Sequence, residues 1–276
     1  MGGFCCSIIN CYLWNPSSND KIQLPPLPKY KSVKCLLSAP PHDPECRIVF
    51  LIKESNDDTD DDTDDDDDDE DDDEDTPPIL YFCKPGYNEE FHKQDLKLNE
   101  DDYLRKWTIF KGKIYGLTHQ ELVVVISDLD HESGLVKIQQ LLIKKLIYVD
   151  YELLDMSKSV QYIIQSNDHN ELFYIWQRYF GKERNEVYVF QVFRLDFVEK
   201  SWIEVESIGE TAIFLDAYGG MGCSTRGTNL EKESIYFTED DDRRLHVFNL
   251  KTKTIMTCLP CQHVSRKHST FNWLPL

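Results

Sequence analysis

A short unit that occurs three times constrains the fold of this 276-residue chain more than any other feature of its sequence. In each copy an apolar run containing a tyrosine precedes a polar turn, and a strand-like run rich in β-branched and aromatic residues follows. The tyrosines are Tyr115, Tyr174 and Tyr236, so the copies are spaced by 59 and 62 residues. Repetition at such a spacing is typical of stacked supersecondary units, and each unit here is predicted to be a hairpin of strands.

Strand-like runs occupy most of the chain outside one acidic segment. In residues 186–196 both alternating sets of side chains contain apolar residues, which indicates a strand covered on both faces. Residues 89–105 are the most polar ordered stretch, and a short helix is predicted within them. Strands are predicted over residues 4–13, 22–24, 34–38, 47–52, 79–83, 108–110, 113–117, 122–127, 135–149, 161–165, 171–178, 186–196, 201–206, 212–215, 234–237, 245–250 and 254–258.

The acidic segment carries almost all of the chain's net charge. Residues 57–75 contain 17 Asp or Glu and no basic residue, so the remainder carries −3, the difference between −20 and −17. Like charges repel and bury nothing, so a disordered loop is predicted at 55–77, inserted into a single domain spanning 1–276. The strands on either side, 47–52 and 79–83, are expected to pair. The nearly neutral remainder has no basic stripe, which argues against nucleic acid as a partner.

Three hydroxyl residues stand just before acidic runs. Ser55, Thr59 and Thr63 have the downstream negative charge that acid-directed kinases require, so they are candidate phosphorylation sites. The alternative is that the segment is only a solvated spacer. Weak Ca²⁺ binding is also conceivable for so many carboxylates, but the alternating ligands and central glycine of an EF-hand loop are absent.

Cysteine usage and the N-terminus bear on the compartment. The nine cysteines are scattered, and no secretory signal is evident, so reduced thiols in the cytoplasm and/or nucleus are expected. An organellar location is less favoured, because the first 20 residues contain no arginine. No apolar run approaches the roughly 20 residues that span a bilayer, so no membrane span is predicted. A monomer is expected.

Sequence motifs for catalysis or cofactor binding are lacking. Cys258 and Cys261 with His263 and His268 form the one metal-like cluster, but a single residue separates Cys261 from His263, which is too close for a zinc finger. Residues 219–222 lack the spacing of a phosphate-binding loop and are predicted to be a loop between strands. No nucleophile and base combination of a known signature occurs. No catalytic residue, cofactor or metal is therefore predicted, and the chain is expected not to be an enzyme.

Several stretches, in their shared order, carry a resemblance to a known family. The most specific is Val192-Phe193-Arg194-Leu195-Asp196, followed by Trp202 and by residues 207–215, SIGETAIFL. The others are LWNP at 13–16, IQLPPL at 22–27, FKGKIY at 110–115, YIIQS at 162–166, IYFTED at 235–240 and WLP at 273–275. The sequence resembles the plant F-box-associated β-propeller family, which includes proteins that bind shaggy-like kinases.

The resemblance implies an all-β fold, a β-propeller-like stack of antiparallel sheets, and a protein-binding function. The implied roles are recognition of substrates in ubiquitin-dependent turnover, or kinase binding; the partner would be a kinase or a ubiquitin-ligase substrate. The partner-binding residues are unknown and are expected in the loops. Gly209 is predicted in a turn between strands, and five residues are predicted to pack between blades: Phe193, Leu195, Trp202, Ile213 and Phe214.

The N-terminus differs from the family pattern. Family members commonly begin with an F-box of about fifty residues, whereas residues 4–13 here correspond to a strand within the propeller. The chain is therefore expected to lack its own F-box and to have a propeller that is incomplete at the N-terminus. Two alternatives remain open: a truncated, non-functional paralogue, and an enzyme that uses a propeller channel.

Overall fold

The computed structural model consists entirely of β-strands and connections over the residues that it describes. No helix occurs in this part of the chain, and hence none that is long and apolar enough to cross a membrane. The chain divides into two compact units, one formed by Met1–Leu104 and Ile126–Gln139, the other by Arg105–Val125 and Gln140–Leu276. The described residues are 10–15, 18–28, 30–54, 79–86, 90–96, 98, 102–120, 123–127, 137–143, 159–166, 171–180, 186–216, 219–238 and 244–258.

The first unit contains a small hairpin and a four-stranded sheet. The hairpin pairs β1 (Tyr12–Trp14) with β2 (Lys21–Gln23). The sheet is an antiparallel meander of β3 (Tyr30–Leu37), β4 (Ile48–Glu54), β5 (Ile79–Cys83) and β6 (His92–Asp95), in that order. Pairing of Ile48 with Cys83 and of Ile52 with Ile79 confirms that the strands flanking the acidic segment are neighbours. The segment itself, 55–77, lies outside the described residues.

The helix predicted within residues 89–105 is wrong for the part that the structure describes. His92–Asp95 forms the edge strand β6 instead, paired with β5. The His92 ring stacks on Phe82 at a centroid distance of 5.2 Å, and Lys93 Nζ lies 5.5 Å from the centre of the Tyr81 ring. Aromatic residues of the neighbouring strand thus stabilise polar side chains in an extended conformation, which local composition does not reveal.

The second sheet follows directly along the chain. It contains β7 (Leu104–Phe110), β8 (Lys113–Thr118), β9 (Val123–Ser127) and β10 (Lys137–Leu141), in the order β10-β9-β8-β7. Lys111 and Gly112 join β7 to β8, and both have positive φ, 50° and 71°. Two consecutive residues with positive φ form a type I′ turn, whose twist matches that of the two strands of a hairpin. Of the strand predicted over 135–149, residues 137–141 are extended and residues 142–143 are not, while residues 135–136 and 144–149 lie outside the described residues.

The third sheet is the antiparallel meander β11 (Ser159–Gln165), β12 (Leu172–Phe180), β13 (Glu186–Asp196) and β14 (Ser201–Glu204). Strand β13 has the bounds predicted from the sequence. Phe190 and Val192 lie in one apolar cluster, and Phe193 and Leu195 lie in another. The prediction that this strand is covered on both faces is therefore confirmed.

The fourth sheet departs from a simple meander. Its strands are β15 (Thr211–Leu215), β16 (Gly220–Ser224), β17 (Ser234–Phe237), β18 (Leu245–Asn249) and β19 (Thr254–Cys258), in the order β16-β15-β17-β18-β19. Strands β15 and β17 are parallel, and the other neighbours are antiparallel. Residues 219–222 were predicted to be a loop, which is wrong, because β16 begins at Gly220.

Glycine permits β16 to lie close to β11 of the third sheet. A Cβ placed on Gly222 would be 2.7 Å from the Gln165 carbonyl oxygen and 3.1 Å from Ser166 Cα. Both of these are backbone atoms, which cannot rotate out of the way. A glycine inside a strand is typical of such close backbone approach.

The three repeated tyrosines occupy equivalent hairpins. Tyr115 lies in β8, Tyr174 in β12 and Tyr236 in β17, and each of these strands pairs with the next strand in the chain, β9, β13 and β18 respectively. The prediction of repeated hairpins is confirmed.

One turn structure also occurs twice, at β13–β14 and at β18–β19. The Asp196 carboxylate accepts hydrogen bonds from the Val198 and Glu199 amides at 2.8 and 2.9 Å. The side-chain oxygen of Asn249 accepts two equivalent bonds, both of 3.0 Å, from residues 251 and 252. Lys200 and Lys253 then end the turns with φ of 50° and 57°. Each turn thus combines an Asx side chain that caps it with a lysine in the left-handed region.

We expect Lys200→Gly to stabilise the chain. A non-glycine residue in the left-handed region costs roughly 1–2 kcal/mol, and glycine removes this cost. Glycine also makes the unfolded state more flexible, which offsets part of the stabilisation, so a net gain of about 0.5 kcal/mol is expected. Urea unfolding monitored by circular dichroism would measure the gain. Lys113→Gly, on the extended strand β8, is the matched control and should destabilise the chain. An equal loss from both variants would contradict the assigned turn.

We expect the contribution of Asp196 to depend on pH. Hydrogen bonds from the Glu199 and Val198 amides lower the pKa of this carboxyl. A carboxyl with a lowered folded-state pKa stabilises the fold above its unfolded pKa, about 3.9, and loses that contribution as pH falls through the folded pKa. Asp196→Ala should therefore destabilise the chain at pH 7, and the difference from wild type should shrink as pH falls below about 4. Urea midpoints over this range are the measurement. The Asn249 side chain does not ionise, so Asn249→Ala should lower the stability by the same amount at every pH.

Candidate protein-binding surfaces

The described residues do not assemble a metal site. No group of three or more His, Cys, Asp or Glu side chains within them could hold a metal ion. The Cys258 side chain and residues 261, 263 and 268 of the metal-like cluster lie outside the described residues, as do the candidate phosphorylation sites Ser55, Thr59 and Thr63.

The thiols in the described part of the chain are held in their protonated form. Burial, with smaller contributions from Cys35 and Cys46, raises the pKa of the Cys83 thiol to about 12. Burial also raises the pKa of Cys46 and of Cys223. Because the thiolate is the nucleophile and the metal ligand, these cysteines are poorly suited to either role at neutral pH.

The residues predicted to pack between sheets are buried or half-buried. Phe193, Leu195 and Trp202 belong to one apolar cluster, which includes Phe110 and Tyr174 from β7 and β12. Ile213 belongs to a second cluster, between the third and fourth sheets.

The remaining two structural predictions concern Phe214 and Gly209. Phe214 lies on the other face of the fourth sheet from Ile213, stacked on Tyr236 at 4.8 Å. Its apolar cluster among the described residues comes entirely from the fourth sheet and its β16–β17 connection, so the predicted packing between blades is not borne out there. Gly209 has φ of 63° in the connection between β14 and β15, as predicted. A positive φ at this connection explains why glycine occupies it.

Exposed aromatic residues lie together on one face of the β1–β2 hairpin. Tyr12 and Trp14 are 52% and 54% exposed. They are two residues apart on β1, so they point to the same side, and Gln23 and Lys21 are their partners on β2. Lys21 Nζ lies 4.9 Å from the centre of the Tyr12 ring. These four residues, Tyr12, Trp14, Lys21 and Gln23, are called the hairpin patch below.

The hairpin patch is held by contacts beneath and beside it. Leu13, which points to the other face of β1, packs against the core of the first unit. The Gln23 side-chain amide donates to the Cys11 and Leu24 carbonyl oxygens at 2.9 and 3.2 Å. The Trp14 indole N–H donates to Asn19 Oδ1 at 3.0 Å. The aromatic side chains are therefore presented from a fixed backbone.

A second exposed apolar group lies in the β13–β14 turn of the other unit. Phe197 stacks on Phe110 at 5.6 Å with an angle of 5° between the rings, and it meets Tyr115 edge to face at 6.0 Å. The neighbouring Val198 is the most exposed large apolar side chain among the described residues, at 87%. Phe197 is thus held by packing, while Val198 projects from the turn.

Four larger sheets follow one another along the chain, three of them antiparallel meanders, and apolar clusters pack between sheets within the second unit. This organisation defines an all-β protein of the propeller class. A family model described as the KIB1-4 beta-propeller matches residues 5–249, and the chain belongs to that family. No curated protein and no solved structure matches the chain.

Membership of this family confirms both the propeller fold and the resemblance predicted from the sequence motifs. It also favours a protein-interaction module and is consistent with a protein that is not an enzyme.

Proposed function

We propose that the chain is a non-enzymatic protein-binding module whose partner contacts the hairpin patch. One observation carries this proposal: a tryptophan and a tyrosine, each more than half exposed, lie side by side on one strand. Tryptophan and tyrosine are the residues most enriched among those that dominate binding energy at protein interfaces. Each has a large, rigid apolar surface that a partner can cover.

Pre-organisation of the patch supports the same proposal. Binding is weakened by the entropy lost when flexible side chains and loops become ordered. The hydrogen bonds of Trp14 and Gln23, together with the packing of Leu13, already fix the hairpin and reduce this loss. A partner would then gain the burial of two aromatic side chains with little ordering cost.

The specific biological role belongs to the same proposal and rests on the resemblance to F-box-associated propellers. The module would recognise either a shaggy-like kinase or a substrate of ubiquitin-dependent turnover, in the cytoplasm and/or nucleus, as a monomer.

Calorimetry with a purified shaggy-like kinase tests the kinase-binding form of this role. The kinase is expected to bind. We expect Trp14→Ala to weaken kinase binding by about 2 kcal/mol, close to thirtyfold, which is typical of a central aromatic residue at an interface.

Leu142→Ala is the matched control, because Leu142 is also an exposed apolar residue, at 74%, but lies outside the patch. It should bind as wild type does. Equal binding by Trp14→Ala and wild type would show that the patch is not the site. Failure of the kinase to bind would contradict the kinase-binding role.

A further inference from the structure

The last strand of the fourth sheet differs from the last strands of the other three. Strand β6 contains Lys93 and Asp95, β10 contains Lys137, and β14 contains Glu204, whereas β19 reads Thr-Ile-Met-Thr-Cys and has no charged residue. Charged side chains on an edge strand prevent other strands from pairing with it. Strand β19 lacks this protection.

The outer edge of β19 is open within the described residues. Strand β18 pairs with one side of β19, and no strand of the described chain pairs with the other. Residues 254–257 are all exposed. Every second residue of such a strand directs its N–H and C=O groups away from the sheet, where they can bind another strand.

The two apolar side chains of β19 extend buried surfaces of the sheet to this edge. Ile255 is opposite Phe248, which belongs to the cluster between the third and fourth sheets. Met256 is opposite Val247, which belongs to the cluster on the other face. Ile255 and Met256 are 38% and 57% exposed. An added strand would therefore extend both apolar faces and cover side chains that β18 alone leaves open.

Charge near this edge identifies the kind of segment that fits. Lys251 and Lys253 are exposed in the turn that enters β19, and no acidic residue occurs between Asn249 and Cys258. In antiparallel pairing, the residues that follow the added strand lie beside the residues that precede β19. Acidic residues at the C-terminal end of the added strand would thus meet the two lysines.

We propose that β19 binds an extended segment of a partner protein as an additional antiparallel strand. In this segment apolar residues alternate with β-branched ones, and Asp or Glu follow at its C-terminal end. Main-chain hydrogen bonds supply the affinity, as in other cases of strand addition, and contacts with Ile255, Met256 and the lysines select the sequence. This inference is independent of the hairpin patch, which belongs to the other unit.

A designed peptide tests the inference on the full chain. The probe is a fluorescent, blocked peptide of alternating valine and threonine that ends in aspartates, and its binding is measured by anisotropy. We expect saturable binding. The same peptide N-methylated on alternate residues should bind about tenfold more weakly, because it has lost main-chain hydrogen bonds that carry strand addition.

Variants of the chain test the side-chain contacts. Met256→Lys should abolish binding, since it places a charge on the edge. The double variant Lys251→Glu and Lys253→Glu should weaken binding about fivefold. Lys200→Glu, in the equivalent turn before β14, is the matched control and should bind as wild type does. Hydrogen exchange should show the outward amides of β19 exchanging rapidly in the free chain and slowly with peptide.

Four outcomes would overturn the inference. The first is the absence of peptide binding, and the second is equal binding of the N-methylated peptide. The third is slow exchange of every β19 amide in the free chain, which would mean that the chain itself covers the edge. The fourth is self-association that Met256→Lys abolishes, measured by sedimentation, which would assign the edge to a second copy.

Discussion

Gly222→Ala is expected to destabilise the chain by about 2–3 kcal/mol, the upper part of the range for adding a methyl group to a well-packed interior. The added Cβ would lie 2.7 Å from the Gln165 carbonyl oxygen, a distance that real Cβ atoms do not adopt. Relief requires β16 and β11 to separate, because the obstructing atoms belong to the backbone. Urea unfolding monitored by circular dichroism would measure the loss.

Gly227→Ala separates the steric cost from the conformational cost. Gly227 has φ of 74°, and a Cβ there meets no atom within 4 Å, so only the left-handed backbone penalises alanine, by roughly 1 kcal/mol. Gly222→Ala should therefore be the more destabilising variant by at least about 1 kcal/mol. The reverse order would contradict the close approach of β16 to β11.

Phe190→Ala is expected to have the largest effect on stability, about 3–5 kcal/mol. The Phe190 side chain is 0% exposed and lies between β17 and β18 residues, 5.0 Å from the Phe237 ring centre and 5.2 Å from that of Phe248. Its removal leaves a cavity where the third and fourth sheets meet. Since a typical domain is stable by only about 5–15 kcal/mol, this loss is a large part of the total stability, and the variant should unfold at a markedly lower temperature than wild type. Near-ultraviolet circular dichroism and thermal unfolding would measure this.

Phe197→Ala is the matched control for Phe190→Ala. Phe197 is 42% exposed and packs mainly on Phe110, so its removal should cost about 1 kcal/mol. Equal losses from the two variants would contradict the assignment of Phe190 to the centre of the core.

Strands covered on both faces are the elements that the sequence specifies best. Predicted and observed bounds coincide for the covered strands β5, β13 and β17, and differ by one or two residues for most of the others. They also coincide for β19, which is exposed. In β13 both alternating sets contain apolar residues, and the enrichment in valine and phenylalanine favours a buried strand over a helix. Such strands need little information from distant parts of the chain.

Elements whose conformation depends on contacts with another strand were not predicted from the sequence. Strand β6 is polar and is extended because Phe82 and Tyr81 of β5 contact its side chains. Strand β16 is rich in glycine, and its conformation depends on the approach of Gly222 to β11. Lys200 and Lys253 adopt positive φ, which lysine rarely does, so no local pattern marks those turns.

The candidate binding surfaces were only partly foreseeable. The partner site was expected in loops, and this stays a prediction. The sequence places Tyr12 and Trp14 in an apolar run typical of a covered strand, and only their exposure in the structure, with Leu13 on the core side, shows which side faces outward. The same holds for β19, whose exposure depends on being last in the order of the fourth sheet.

The parallel pair β15–β17 has a consequence for biosynthesis. All five residues of β15 are buried in the finished protein, yet the ribosome releases β15 before its parallel neighbour β17. In the interval, β16 is the only neighbour in the fourth sheet that can pair with β15, so one edge of this mostly apolar strand stays unpaired. We expect the demand for chaperones to peak in that interval of translation, until residue 237 has emerged.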